Sequence, residues 1–219
     1  MALMPRFRFV LAAVVVAGLA LPAVAPATLD NVPAVDPGPA TPSCPGSPCY
    51  ALGRTTGYQA KVGTNRGLYT VAQDGMLVSW SVTLSTPSAK QVDFFNKSLG
   101  GEPQAAISVL RMGTKLHARL VAQGDVQKLT PYFGQTVEFA LKTPIPVQKG
   151  WVIGLTVPTW APALAAGLGN DTSWRASRAK GTCDDSQAQT AQAVNQIGRY
   201  YCLYRTARIM YSARVIATP

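Results

Sequence analysis

Apolar and polar residues alternate over much of this chain, and this period of two is the feature that most constrains its fold. In the clearest run, apolar side chains occupy one set of alternate positions and serine or threonine occupies the other: Met76, Val78, Trp80, Val82 and Leu84 against Ser79, Ser81 and Thr83. Successive side chains of a β-strand point to opposite faces of a sheet. The run therefore predicts a half-buried antiparallel strand.

The same alternation recurs further along the chain. It covers residues 116–120 and 137–141, and a run that is apolar on both faces, 151–157, predicts a central strand buried on both faces. The last predicted strand spans 207–216. We expect its inward residues to be Ala207, Ile209, Tyr211, Ala213 and Val215, and its outward residues to be Arg208, Ser212 and Arg214.

Turn-forming residues separate these runs, and no segment of ten or more residues shows an apolar stripe of helical period. The best helical candidate, Ser186 to Gln196, is too polar to pack against a core. We expect about eight to ten short strands without βαβ alternation, over about 170 residues. The sequence therefore predicts an all-β fold: an antiparallel two-sheet sandwich, jelly-roll-like at this length.

The N-terminus is typical of an export signal. Arg6 and Arg8 precede an apolar run from Val10 to Leu21, and small residues in an A-x-A pattern follow. This run is shorter than the roughly 20 residues that a membrane-spanning helix needs, so an uncleaved anchor is the weaker alternative. We predict a signal peptide over 1–27, a proline-rich solvated linker over 28–49 and a β-sandwich domain over 50–219. The mature protein is expected to be extracellular or associated with the cell envelope, with no membrane span.

Four cysteines in an exported chain predict two disulfides, for which three pairings exist. Proximity in sequence favours Cys44 with Cys49 and Cys183 with Cys202. A zinc site is the competing interpretation, but neither pair has C-x₂-C spacing. We predict no metal site and no cofactor.

The predicted domain is basic. From Tyr50 onward the chain carries 18 Lys and Arg against 8 Asp and Glu, a net charge of +10. A protein outside the cell meets little nucleic acid, so polysaccharides and acidic envelope polymers are the natural partners of such a charge. The alternative is that the charge serves only solubility.

The residues needed for common hydrolytic chemistry are missing. His117 is the single histidine, and no G-x-S-x-G motif is present to position a nucleophilic serine. We therefore predict that the protein is not an enzyme. One enzymatic alternative remains, because Lys115, His117 and Arg119 are expected on one face of a strand. Basic groups beside a proton acceptor suit a lyase acting on acidic polysaccharide.

A resemblance supports export and the fold class. The segment from Thr143 to Leu155 contains P-x-P-V-x-x-G at Pro144–Gly150, followed by Val152-Ile153-Gly154-Leu155. This phrase resembles one that recurs in an uncharacterised group of secreted bacterial β-sandwich proteins. The likeness extends over about residues 65–216. Because the group has no assigned activity, the resemblance implies fold and secretion and carries over no site residue.

Aromatic and polar residues that are close in sequence predict a candidate binding site. Carbohydrate sites on β-sandwiches combine exposed rings with fixed polar groups, and Trp160 lies between two prolines in a predicted loop. The candidate ligand-binding residues are Trp160, Asn170, Asp171, Trp174 and Arg175. The competing interpretation is that the rings plug the ends of the sandwich.

We therefore predict a secreted, non-catalytic binding or envelope-associated module that recognises a polysaccharide or acidic polymer. Two alternatives are kept: the lyase, and a structural domain that binds another protein.

Overall fold

The computed structural model describes residues 27–185 and 189–218, so nearly all of the predicted signal peptide lies outside the described residues. The described chain is almost entirely β-structure with one α-helix, α1, at Ala89–Leu99. Its strands are β1 Leu29–Val32, β2 Leu52–Val62, β3 Asn65–Arg66, β4 Gly75–Thr83, β5 Gln104–Met112, β6 His117–Gln123, β7 Gln127–Lys128, β8 Thr136–Val147, β9 Val152–Ala161, β10 Leu164–Ala166, β11 Ser173–Ala176, β12 Ile197–Arg199, β13 Cys202–Arg205, β14 Ala207–Ile209 and β15 Tyr211–Ala217.

Two antiparallel sheets form the body of the fold. The smaller sheet has the order β1-β15-β4-β8, and the larger has the order β12-β6-β5-β9-β2-β11-β13, with β3 paired to β2 and β7 to β5. A two-stranded ribbon, β10-β14, completes the structure. The predicted all-β, antiparallel sandwich is confirmed. The mainly apolar strand β9 lies centrally in the larger sheet between β5 and β2, where both of its faces are covered.

The alternation of β4 holds in only one half of the strand. Trp80 and Val82 are buried as predicted, whereas Met76 and Val78 are only half-buried and Leu77 is 0 % exposed. The register of β4 shifts between Leu77 and Ser79 against both β8 and β15. Leu77 and Ser79 pair with Val215 and Arg214, which are consecutive in β15, so β4 has one extra residue at this point. An extra residue at a β-bulge reverses which alternate positions face the core, so the pattern predicted for this half was wrong.

The prediction for the last strand holds apart from one residue. All five positions expected to face inward are buried, and they now divide between β14 and β15. Arg208 was expected outside but is only 4 % exposed. Its guanidinium donates to the carbonyl oxygens of Pro37 at 2.6 Å and Gly38 at 2.7 Å. These two acceptors compensate for the burial of the charge.

The N-terminal segment packs against the domain. Residues 28–49 were expected to form a solvated linker, yet β1 pairs with β15 over four residues and Val32 is 4 % exposed. Further along, the backbone N–H of Ser43 donates to the carbonyl of Leu164. The expectation of a solvated segment therefore does not hold for β1, which pairs with the edge of β15, or for Ser43, which is bonded to β10.

The absence of a packed helix was also a wrong prediction. The Ser88 side chain accepts from the backbone N–H of Gln91, and the Gln91 side chain accepts from the backbone N–H of Ser88, so a complete capping box begins α1. Gly100 ends the helix in the left-handed conformation. Only Phe95 and Leu99 of the helix are buried, a stripe too narrow to register as a helical period. The polar segment that had been the best helical candidate contains no helix over its described residues, 189–196.

Both favoured disulfide pairings are confirmed. Cys44 bonds Cys49, and Cys183 bonds Cys202. The first bond closes a loop beside α1, and the second ties the loop after β11 to β13. Disulfides of this kind are typical of proteins that fold in an oxidising compartment.

Candidate functional site

Trp160 lies in a small second core and not on the surface. It is 0 % exposed and packs with Phe95 and Leu99 of α1. Its indole N–H donates to Asn96 Oδ1 at 2.9 Å and to the carbonyl of Gly101 at 3.0 Å. Because α1 covers the ring, the competing interpretation, a ring packed inside the fold, holds for this tryptophan. Its neighbouring prolines had suggested a loop, but the residue belongs to β9.

Trp174 is buried in the main core. The ring is 4 % exposed and stacks on Tyr204, with ring centroids 4.5 Å apart and planes at 21°. A Cβ atom on Gly57 would lie 3.0 Å from the indole ring, so the glycine leaves room for it. Trp174 and Arg175 are consecutive residues of β11 and point to opposite faces of the sheet.

The remaining candidates do not complete a single site. Asn170 and Asp171 are exposed in the turn before β11. Arg175 is occupied by the main chain, since one of its guanidinium nitrogens donates at 3.0 Å to the carbonyls of Tyr200 and Tyr201. The five candidates are thus divided between two cores, a turn and an inter-strand contact. Of the five, only Trp174 borders the cleft described next.

The largest cavity found in the described chain is a cleft of about 910 Å³ where α1 meets the ends of β10, β13 and β14. We call it the cleft. Two large side chains on its border are strongly exposed, Phe94 at 61 % and Tyr50 at 48 %. The residues that carry its chemistry are Tyr50, Phe94, Leu164, Trp174, Arg178 and Arg205. Each disulfide also contributes one cysteine to the lining.

Arg178 is the buried charge of the cleft, with 6 % of its surface exposed. It donates to the Cys183 carbonyl at 2.9 Å, the Tyr204 hydroxyl at 2.6 Å and the Gly53 carbonyl at 2.7 Å. The Tyr204 hydroxyl also donates to the Cys183 carbonyl. Burial raises the pKa of Tyr204, and the nearby guanidinium acts in the opposite direction. These contacts fix the loop that carries the second disulfide against the end of β2.

A second region gathers positive charge on one face of three adjacent strands. Arg111 of β5 lies directly opposite Arg119 of β6, and His117 of β6 lies directly opposite Arg199 of β12. Residues opposite each other share a face, as do His117 and Arg119, which are two positions apart on one strand. We call these four residues the basic face. No Asp or Glu lies in β5, β6 or β12, and the exposed Ile197 is opposite Arg119.

The basic face differs from the row predicted from sequence. Lys115 was expected on the same strand face as His117 and Arg119, but β6 begins only at His117 and Lys115 lies in the preceding turn with φ of 52°. Sequence reasoning missed Arg111 and Arg199. Met112-Gly113 is a turn signal in the sequence, and pairing the strands on either side of it as a hairpin would have placed the Arg111 and Arg119 side chains together.

The most strongly shifted tyrosine pKa values lie outside both regions. Burial raises the pKa of Tyr69, Tyr200 and Tyr211 well above the usual value of 10.0. The Tyr211 hydroxyl donates to the Ile153 carbonyl at 2.8 Å, and the Tyr69 hydroxyl donates to the Tyr211 carbonyl at 3.2 Å. These groups are neutral hydrogen-bond donors of the core, so their pKa shifts do not identify an active site.

Comparison with known proteins adds no assignment, because no family model, no curated protein and no solved structure matches the chain. Over residues 27–185 and 189–218, no three metal-ligating side chains of His, Cys, Asp or Glu come together. In the same residues, no helix has the length and apolar character to cross a membrane.

Proposed function

We propose that the protein is a secreted, non-catalytic binding module that attaches to an acidic polysaccharide or another anionic envelope polymer through the basic face. One observation carries this proposal: Arg111, His117, Arg119 and Arg199 share one face of β5, β6 and β12, and those strands contain no carboxylate. The predicted export signal and the two disulfides support the secreted location.

The register of the strands makes this arrangement unfavourable in the absence of a partner. Like charges directly opposite each other destabilise a strand pair. Four carboxylates of the domain form ion pairs, and none of these pairs includes a residue of the basic face; the four are Asp93, Glu102, Asp125 and Glu138. The positive charges of the basic face are therefore not neutralised by these carboxylates.

The geometry of the basic face suits a repeating anion. Adjacent strands lie about 4.8 Å apart, so its three strands extend over about 10 Å. Arg side chains bind carboxylate and sulfate-like groups through two parallel hydrogen bonds. The exposed Ile197 adds an apolar contact beside Arg119. A polymer with a carboxylate on each sugar can engage several of these side chains at once, and the individual contacts then reinforce one another.

The test is elution from agarose that carries polygalacturonate, with neutral dextran agarose as the reference matrix. The double variant Arg111→Gln/Arg119→Gln should leave the acidic matrix at clearly lower salt than the unchanged protein, because two of the clustered charges are gone. Neither protein should be retained on dextran.

The matched control is Lys90→Gln/Lys149→Gln, which removes the same charge from two exposed positions outside the basic face. It should elute close to the unchanged protein. Equal shifts for the two double variants would show that net charge alone causes retention and would overturn the proposed site.

The lyase remains a second candidate, because His117 shares its strand face with three arginines, whereas the sequence analysis had placed only Arg119 there. Its Nδ1 lies 3.1 Å from the carbonyl of Thr114, which leaves Nε2 to act on a uronate. If the protein is a lyase, ultraviolet absorbance of an unsaturated uronide should grow on polygalacturonate and disappear in His117→Ala. A flat trace over a panel of acidic polysaccharides, with retention intact, supports the non-catalytic module.

A further inference from the structure

The cleft combines an apolar wall with hydrogen-bond donors, and it is separate from the basic face. Pockets that bind small molecules have volumes of about 300–1,000 Å³ and are mainly apolar with a few fixed polar groups. The cleft reaches about 910 Å³ and lies where the small core under α1 meets the main core. Both its size and its position are typical of a ligand site.

Two aromatic side chains at the border of the cleft are largely exposed to solvent. Phe94 is 61 % exposed although the next residue, Phe95, is buried in the small core. Tyr50, across the cleft, is 48 % exposed. Two large rings bordering one apolar cavity form the kind of exposed patch that marks a binding surface.

The wall of the cleft contains incompletely paired polar groups. Among the described residues, three buried side-chain N–H groups have no acceptor, and two of them, Trp174 Nε1 and Arg178 Nε, belong to residues that line the cleft. These residues are 4 % and 6 % exposed. Because both nitrogens are closed off from solvent, they belong to the packed wall behind the cleft, and neither is a contact that the cleft offers to a ligand.

The free charge at the cleft points to an anionic acceptor. Arg205 is exposed, lines the cleft and forms no ion pair with any described residue. Asp184 is the carboxylate among the described lining residues, and its negative charge helps to raise the pKa of Tyr204. The lining thus presents the exposed guanidinium of Arg205, beside the buried and hydrogen-bonded guanidinium of Arg178, against a single carboxylate.

We infer that the cleft is a second binding site, for a ligand with an apolar body and a carboxylate head, such as a single-chain fatty acid. The chain lies between Phe94, Tyr50 and the apolar wall. The carboxylate is held by Arg205, in a cleft whose wall also carries the buried charge of Arg178. This site is independent of the basic face and its proposed polymer.

The test is calorimetric titration with sodium dodecanoate below its micelle-forming concentration. Dodecanol, dodecyltrimethylammonium and acetate are the comparison probes, since each removes or reverses one part of the proposed ligand. Dodecanoate should bind with one saturable site, dodecanol should bind about tenfold more weakly, and the other two should not bind. Arg205→Gln should weaken dodecanoate about tenfold and leave dodecanol unchanged.

A second variant tests the place of binding. Ser98 is a half-buried residue of α1 that lines the cleft, so Ser98→Trp should fill the cavity and abolish dodecanoate binding. Asp93→Trp, at an exposed position of the same helix that does not line the cleft, is the matched control and should bind normally. Circular dichroism establishes that both variants are folded.

The outcomes separate this site from the basic face. Arg111→Gln/Arg119→Gln should bind dodecanoate as well as the unchanged protein does, whatever its behaviour on polygalacturonate. The inference is overturned if dodecanoate and dodecyltrimethylammonium bind equally, or if Ser98→Trp in its folded state binds dodecanoate unchanged.

Discussion

The cleft and the basic face are built in opposite ways. The cleft is assembled from five stretches that are distant in sequence, 48–53, 94–99, 164–167, 174–184 and 204–207. Its side chains are held by hydrogen bonds, ring stacking and two disulfides. The basic face needs only one hairpin, β5-β6, and the neighbouring strand β12. Its side chains make only local contacts: Arg119 donates to the Asn195 carbonyl, and the Arg199 guanidinium lies over the Tyr201 ring.

The comparison indicates that the residues of the cleft wall stabilise the fold, whereas those of the basic face are available for binding. Removing a contact from the cleft wall should destabilise the fold, because many segments depend on it. Removing a charge from the basic face should leave the fold unchanged or more stable. Natural proteins commonly keep such locally unfavourable groups where binding requires them.

The largest effect is expected for Trp160→Ala, which removes the central ring of the small core beneath the cleft. Replacing a buried tryptophan by alanine costs about 3–5 kcal/mol of unfolding free energy. The change also leaves Asn96 and Gly101 without their donor. Urea unfolding measures the loss. A cost below about 1 kcal/mol would show that α1 does not depend on this core.

A smaller effect is expected from the disulfide beside Arg178. The double variant Cys183→Ser/Cys202→Ser opens a loop with a sequence separation of 19 residues. The loss of loop constraint should cost about 3 kcal/mol. Cys44→Ser/Cys49→Ser, with a separation of 5, is the comparison and should cost about 2 kcal/mol. The urea midpoints of the two double variants show which disulfide contributes more to stability. A larger loss for Cys44→Ser/Cys49→Ser would contradict the view that loop entropy sets the contribution.

The smallest effect has the opposite sign. Arg111→Gln removes the charge that lies directly opposite Arg119. It should raise the unfolding free energy by about 0.2–1 kcal/mol at low salt, and the gain should vanish at high salt because exposed charges are screened. Lys142→Gln is the control, since it breaks an exposed ion pair with Asp125 and should give no gain. Destabilisation by Arg111→Gln would place this arginine among the residues that hold the fold.

The sequence predicts the parts of this fold that depend on local pattern. The central strand β9, the inward residues of β14 and β15 and both disulfides follow from periodicity and spacing. The bulge that reverses the first half of β4 does not, because one extra residue leaves no mark on composition. The helix α1 was missed for a related reason: its buried stripe is only two residues wide.

The two regions also differ in how far the sequence predicts them. Hairpin pairing alone brings Arg111 to Arg119, so half of the basic face follows from the Met112-Gly113 turn. The cleft depends on where α1 lies relative to β13, which no local pattern encodes. Trp160 shows the difficulty most clearly, because its flanking prolines favour a loop while long-range packing makes it a buried strand residue. Membership of the secreted bacterial group stays a prediction.

The short strand β1 has a practical consequence for the boundaries of the domain. It covers one side of β15 through four residue pairs, and the segment behind it provides both carbonyl acceptors for the buried guanidinium of Arg208. A shortened chain that starts at Tyr50 would uncover a seven-residue strand edge and leave that cation without its acceptors. Open strand edges promote pairing between molecules. Recombinant versions of this domain should therefore begin before Leu29, so that β1 covers this edge.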